Sequence, residues 1–194
     1  MVKVKREWCQ ENNIPVISEA TENFLKDWIS TYQPQYVGEI GSAIGYSTSI
    51  LAEAISIYTD HWWVDSREIS YPHYRQSVLN TSHYKNVTVY LWNICHINLE
   101  KCVHKEAYNL LFVDGRKSET LDYLILWNSY IRSWSTIIID DVIKFKEKMR
   151  NCYDFLDNNK IPYTVKQLDS DDGILILPVT LLLLQALYEL SDHP

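Results

Sequence analysis

Residues Gln35-Tyr-Val-Gly-Glu-Ile-Gly-Ser-Ala-Ile-Gly-Tyr-Ser-Thr-Ser49 decide the reading of this chain. Tyr36 to Ile40 predicts a short apolar strand, Gly41 and Gly45 a turn, and Ser47 to about Ser56 a helix built on Leu51, Ala52 and Ala54. Three of the five glycines in the chain, Gly38, Gly41 and Gly45, fall inside this stretch. Glycine serves where a backbone must turn tightly or lie against a ligand. A strand, a glycine turn and a helix N-terminus make a nucleotide-sized site at the carboxyl end of a sheet. Taken alone, the same stretch also suits an ordinary strand-to-helix turn.

The segments that follow extend the pattern. His61-Trp-Trp-Val-Asp65 reads as a second strand ending in an acid, about twenty residues past the glycines, where nucleotide-binding α/β folds place a carboxylate for ribose hydroxyls. Asp65 also suits a plain helix cap. Tyr71 to Leu79 is weakly helical, Asn86 to Asn93 a third strand with alternating β-branched residues, and Leu99 to Glu106 a helix. Tyr108-Asn-Leu-Leu-Phe-Val-Asp114 and Thr136-Ile-Ile-Ile-Asp-Asp141 are continuously apolar, as strands covered on both faces are, and both end in acids. Ser118 to Ser129 and the amphipathic Lys144 to Asn159 predict helices. Tyr163 to Leu168 and Gly173 to Leu177 predict a closing strand pair around Asp169-Ser-Asp-Asp-Gly173, read as a solvated hairpin loop.

Upstream, Ser18-Glu-Ala-Thr-Glu22 predicts a capped helix start, with Phe24, Leu25, Trp28 and Ile29 at helical spacing and Pro34 ending the helix. Residues 1–30 form a helical N-terminal cap region, and 178–194 a highly apolar helical tail. The whole predicts one doubly wound, Rossmann-like α/β domain over 1–194. Its sheet is mostly parallel with a C-terminal antiparallel strand, and helices cover both faces.

Bulk properties narrow the function. A length of 194 residues supports a full core, and a net charge of −7 argues against broad contact with a nucleic-acid backbone. Cys9, Cys95, Cys102 and Cys152 lack metal-ligand spacing and read as buried free thiols. The opening Lys3, Lys5, Arg6 and Glu7 are not followed by a signal-like apolar region, and the longest apolar run, Ile174 to Leu184, is broken by Pro178 and Thr180. A cytoplasmic protein without a membrane anchor is expected.

Four strand ends supply Glu39, Asp65, Asn93 and Asp114, and a fifth supplies Asp140 and Asp141; in an open parallel sheet such ends border the ligand crevice. Val37-Gly-Glu-Ile-Gly-Ser-Ala-Ile-Gly-Tyr-Ser-Thr48 resembles motif I of the S-adenosylmethionine-dependent O-methyltransferases of the catechol and caffeoyl-CoA type. Leu110 to Lys117, an Asp with a Lys three residues on, resembles that family's fourth-strand segment, and Ile137 to Val142 its fifth. The likeness runs from about Ile14 to Leu177. It implies that Glu39, Gly41, Ser42 and Gly45 shape the methionine end of an S-adenosylmethionine pocket, with Tyr46 and Ser47 covering it. Asp65, with Ser66 beside it, would hold the ribose, and Asn93 and Ile94 would face the adenine. Asp114 would border the cofactor and, with Asp140 and Asp141, bind a divalent cation such as Mg²⁺, while Lys117 would be the base.

The chemistry is coherent. A hydroxyl becomes a competent nucleophile once it loses its proton; a cation on its oxygen and a nearby lysine assist that loss, and the methyl transfer then needs in-line positioning. The resemblance implies a small hydroxylated, possibly aromatic, acceptor and a homodimer. Departures from the family pattern are Asp140-Asp141 in place of Asp-Asn, Arg132-Ser-Trp-Ser135 in place of a Pro-Gly-Gly turn, and Trp92-Asn93 in place of Gly-Asp. Competing readings are the same fold acting on a hydroxylated tRNA base, a degenerate fold that only binds ligand, and a nucleotide-binding oxidoreductase. The GxxxG spacing counts against the last.

Overall fold

The computed structural model describes residues 4–92 and 108–191. The predicted helix over Leu99 to Glu106, the residues Asn93 and Ile94, and the thiols Cys95 and Cys102 lie outside the described residues. Seven strands form one sheet in the order β3-β2-β1-β4-β5-β7-β6, where β1 is Tyr36–Ile40, β2 Trp63–Glu68, β3 Val87–Leu91, β4 Tyr108–Val113, β5 Ile131–Ile139, β6 Thr164–Gln167 and β7 Gly173–Pro178. The pairs β1–β2, β2–β3 and β4–β5 are parallel, and β7 is antiparallel to both β5 and β6. This is the mostly parallel α/β sheet that the sequence predicts. The chain divides into two compact units, Met1–His104 and Lys105–Pro194.

The first unit carries α1 (Arg6–Glu11), α2 (Glu19–Tyr32), α3 (Tyr46–Ser56) and α4 (Tyr71–Thr81). Ser18 caps α2 by accepting the Thr21 N–H at 3.0 Å, as its position predicts. Leu25 and Ile29 are fully buried. Strand β1 occupies its predicted bounds. Strand β2 runs three residues past Asp65, because its ladders with β1 and β3 continue through Arg67 and Glu68.

The second unit carries α5 (Thr120–Trp127), α6 (Arg150–Asn158) and α7 (Leu181–Ser191). Tyr108, Trp127, Phe112 and Leu124 fill its interior, with the Tyr108 and Trp127 rings 5.0 Å apart edge to face. Strand β5 begins five residues earlier than its apolar run. Ser135 draws Arg132 to Ser135 into the strand by donating its hydroxyl to the Tyr108 carbonyl at 2.6 Å and accepting the Arg132 N–H at 2.9 Å. Helix α6 starts later than predicted, after a 3₁₀ turn over Lys146–Met149, and buries Cys152, Tyr153, Phe155 and Leu156. Helix α7 packs on α5 through Leu183, Ala186 and Leu187 and leaves Leu181, Leu182, Tyr188 and Leu190 exposed. Cys9 and Cys152 are buried free thiols. No described helix is long and apolar enough to cross a membrane.

Candidate functional site

In the first unit the turn between β1 and α3 is built on left-handed backbone. Gly41 has φ 99° and Gly45 φ 87°. A Cβ on Gly45 would stand 2.8 Å from Ser77 Oγ and 3.3 Å from Ser77 Cα, so α4 packs directly against the bare glycine. The N–H groups of Gly41 and Ser42 donate to the Arg67 carbonyl at 2.8 and 3.1 Å, and Gly45 N–H closes the turn on the Ser42 carbonyl at 2.7 Å. Ala43 N–H donates to Glu68 Oε2 at 2.8 Å. Ser47 follows in the first turn of α3, buried beside Tyr46.

The carboxylates here divide into two kinds. Glu39 is fully buried, and its Oε2 accepts the hydroxyls of Thr48 and Ser66, tying β1 to α3 and β2. Ser66 faces Glu39 because the two are register partners. Asp65 does not stand at the end of β2: it lies within the strand, opposite Gly38 and Thr88, and is fully buried. The acid at the strand end is Glu68, which sequence reasoning missed. Its two oxygens accept N–H groups from Ala43 and Ser70, at 2.8 and 2.7 Å, which leaves each oxygen a lone pair. Pro72 was the usable signal. Proline in the first turn of α4 fixes that helix start, and the preceding strand end can be drawn back from it to Glu68.

Tyr46 opens α3 directly after Gly45. Its ring is buried, and its hydroxyl donates to Glu22 Oε2 of α2 at 2.6 Å. Burial, and then this hydrogen bond, push the phenol up to about 12.

In the second unit, Asp114 directly follows β4, and Lys117 opens the short 3₁₀ turn Lys117–Glu119 before α5. Lys117 Nζ donates to Asp114 Oδ1 at 2.8 Å and lies 3.9 Å from Asp141 Oδ2. The lysine is 8% exposed, so the aliphatic stem and ammonium are taken into the structure. Burial pushes the Asp114 carboxyl up against the opposing pull of Lys117. The Asp141 carboxyl is pushed up to about 6, by burial first, with Asp114 and Asp172 adding to it and Lys117 opposing it. Asp141 has φ 54°, and Asp140 before it is buried at the end of β5.

Asp172 is the second residue that sequence reasoning missed. It belongs to the acidic turn read as a solvated loop, yet its Oδ1 accepts N–H groups from Ile143, Lys144 and Gly173 at 3.0, 3.3 and 2.7 Å. These bonds hold the segment after β5 to the β6–β7 turn. Oδ2 of Asp172 is buried and takes no hydrogen bond. Gly173 is required beside it, because a Cβ there would meet the Lys166 carbonyl oxygen.

Hard carboxylate oxygens and an orphaned Asp172 Oδ2 are the kind of donor a divalent cation such as Mg²⁺ takes. Among the described residues, however, no three His, Cys, Asp or Glu side chains stand gathered as a ready-made metal cage. The Lys117 ammonium is the positive charge that Asp114 contacts.

No protein-family model matches the chain. Solved structures do. An O-methyltransferase from Bacillus cereus in complex with SAH superposes with a TM-score of 0.73 at 20% identity, over 89% of this chain and 87% of that one. TomG, an O-methyltransferase of Streptomyces achromogenes involved in tomaymycin synthesis and solved with SAM, gives 0.76 at 18% identity, over 93% and 92%. A Staphylococcus aureus protein assigned as a caffeoyl-CoA O-methyltransferase gives 0.76 at 18% identity, over 89% and 90%. The fold is that of these O-methyltransferases. Within that methyltransferase fold the glycine turn follows the first strand, and the Asp114–Lys117 pair follows the fourth.

Proposed function

We propose that the chain is an S-adenosylmethionine-dependent O-methyltransferase acting on a hydroxyl of a small acceptor, working as one methyltransferase domain. The observation that carries this reading is the pairing of buried Lys117 with half-buried Asp114 at a strand end of a methyltransferase fold whose first strand ends in a glycine turn. Gly41, Ser42, Gly45 and Ser47 receive the methionine end of the cofactor, and Glu39 braces that turn from beneath through Thr48 and Ser66. Glu68, in place of Asp65, takes the ribose hydroxyls, because its oxygens are already aimed and keep free lone pairs.

Once its ammonium has passed one proton to Asp114, Lys117 Nζ receives the proton of the acceptor hydroxyl, and Asp114 holds that nitrogen in place. The raised Asp114 carboxyl gives the lysine a partner with which to exchange that proton. Asp114, Asp140 and Asp141 would hold Mg²⁺; when bound, it lowers the pKa of a hydroxyl on its coordination sphere. A homodimer, with the exposed leucines of α7 as the natural candidate surface, and a cytoplasmic location complete the reading.

Calorimetric titration of S-adenosylhomocysteine, with and without Mg²⁺, tests it. Micromolar binding supports the cofactor assignment, and Mg²⁺ binding lost in Asp114→Ala supports the metal. Absence of S-adenosylhomocysteine binding in both conditions overturns the reading.

A further inference from the structure

The turn from Gly41 to Gly45 and the helix start that follows it are gripped by carboxylates from two sides. From β2, Glu68 accepts the Ala43 N–H. From α2, Glu22 accepts the hydroxyl of Tyr46, the residue that starts α3 directly after Gly45. Glu22 carries more than this bond. Its Oε2 also accepts from Arg6 Nη2 at 2.7 Å, and its Oε1 from Lys26 Nζ at 2.6 Å. Three donors therefore converge on one carboxylate whose side chain is 13% exposed.

Arg6 extends the grip to the N-terminal segment. Its Nη1 donates to the Ile17 carbonyl at 2.6 Å, and its guanidinium carbon lies 5.2 Å from the centre of the Tyr46 ring. One arginine thus touches the chain just before the Ser18 cap, the Glu22 carboxylate and the face of Tyr46. A cavity of about 430 Å³ opens at this place, with Lys5, Arg6, Asn23, Tyr46 and Ser49 among the residues that line it.

We propose that Glu22 is a positioning residue for methyl-donor binding, acting through Tyr46 on the glycine turn and through Arg6 on the N-terminal segment. The proposal rests on the cofactor reading above, since the turn must receive a ligand for its position to matter. The physical reason is the geometry of a helix N-terminus. Its free N–H groups bind a ligand only where they are aimed, and small displacements of a positioning element are costly. Gly45 supplies the bend but, lacking a side chain, nothing that anchors it from α2; the phenol of Tyr46 is that anchor. An exposed ion pair would contribute little. A carboxylate that collects an arginine, a lysine and a phenol in a half-closed setting is a junction, and its loss frees three side chains together.

The test is titration of S-adenosylhomocysteine into the full chain as wild type, Glu22→Gln, Tyr46→Phe and the double variant, with melting temperatures alongside. Each single variant is expected to weaken binding about five- to tenfold, of the order of one hydrogen bond's net contribution. The double variant is expected to be no weaker than the worse single, because both remove the same link. In turnover assays Glu22→Gln is expected to raise the KM for S-adenosylmethionine while kcat holds, and trypsin is expected to cut faster after Lys5 and Arg6. Unchanged affinity in both single variants, or losses that simply add in the double, would overturn the proposal. If Glu22→Gln fails to fold, Tyr46→Phe decides alone, since it keeps the ring and removes the hydroxyl. A wild type that does not bind S-adenosylhomocysteine at all fails the cofactor reading itself, which is a different result from equal binding by wild type and variants.

Discussion

Lys117 Nζ lies 2.8 Å from Asp114 Oδ1, three residues back along the chain, with the lysine almost wholly buried. The pair joins the end of β4 to the 3₁₀ turn before α5, so the charge is aimed by two rigid elements. If Lys117 is the base, Lys117→Ala lowers kcat by about a hundredfold or more, the usual range for a positioned proton acceptor, and leaves S-adenosylhomocysteine affinity within about twofold. Single-turnover methylation assays with calorimetry on the same preparation check this. A full-rate variant removes Lys117 from the chemistry.

Glu68 and Asp65 separate by their loss modes. Glu68→Ala is expected to weaken S-adenosylhomocysteine by about tenfold or more, because the strand-end carboxylate goes and the Ala43 N–H loses its acceptor. Asp65→Asn, in the middle of β2, is expected to act on stability, lowering the melting temperature with little selective effect on the ligand. Thermal melts with and without S-adenosylhomocysteine distinguish the two.

Gly45→Ala is expected to destabilise the chain by about 1–3 kcal/mol. Its φ of 87° strains any L side chain, and its Cβ would press on Ser77. Ser77→Gly in the same chain should recover only part of the loss, since it removes the Oγ contact and leaves the approach to Thr81 Cγ2 at 3.1 Å and the backbone strain. Urea melts of the single and double variants measure both.

The Asp141 carboxyl is pushed up to about 6 from an ordinary 3.8. The folded chain therefore holds a proton that the unfolded chain has released between about pH 4 and 6. A raised folded value contributes stability that is complete below pH 4 and is lost as pH rises through 6. Asp141→Asn removes that loss, and asparagine tolerates the left-handed backbone at this position. In EDTA the variant is expected to melt higher than wild type at pH 8, with the gap closing at pH 4. A constant gap across that range would show that Asp141 does not titrate there.

Much of the architecture was legible because its causes are local. The alternation of apolar runs and helical periods, the Ser18 cap and the two glycines each act within a few residues, so β1 occupies its predicted bounds and α3 starts one residue early. The same locality explains Asp114 and Lys117, which a strand end and a three-residue spacing bring together. Strand β2 was ended three residues early because its end depends on ladders with β1 and β3, which His61 to Asp65 do not announce.

The sequence by itself determined the α/β class, the glycine turn and the Asp-x-x-Lys pair, since backbone preference and short-range spacing are enough for each. Tertiary structure alone decided that Glu68 closes on Ala43, that Asp172 holds Ile143 and Lys144, and that Arg6 and Tyr46 share the Glu22 carboxylate. Those partners stand 16 to 29 residues apart in the chain. Which distant side chains meet depends on how the elements pack, and no local propensity encodes that.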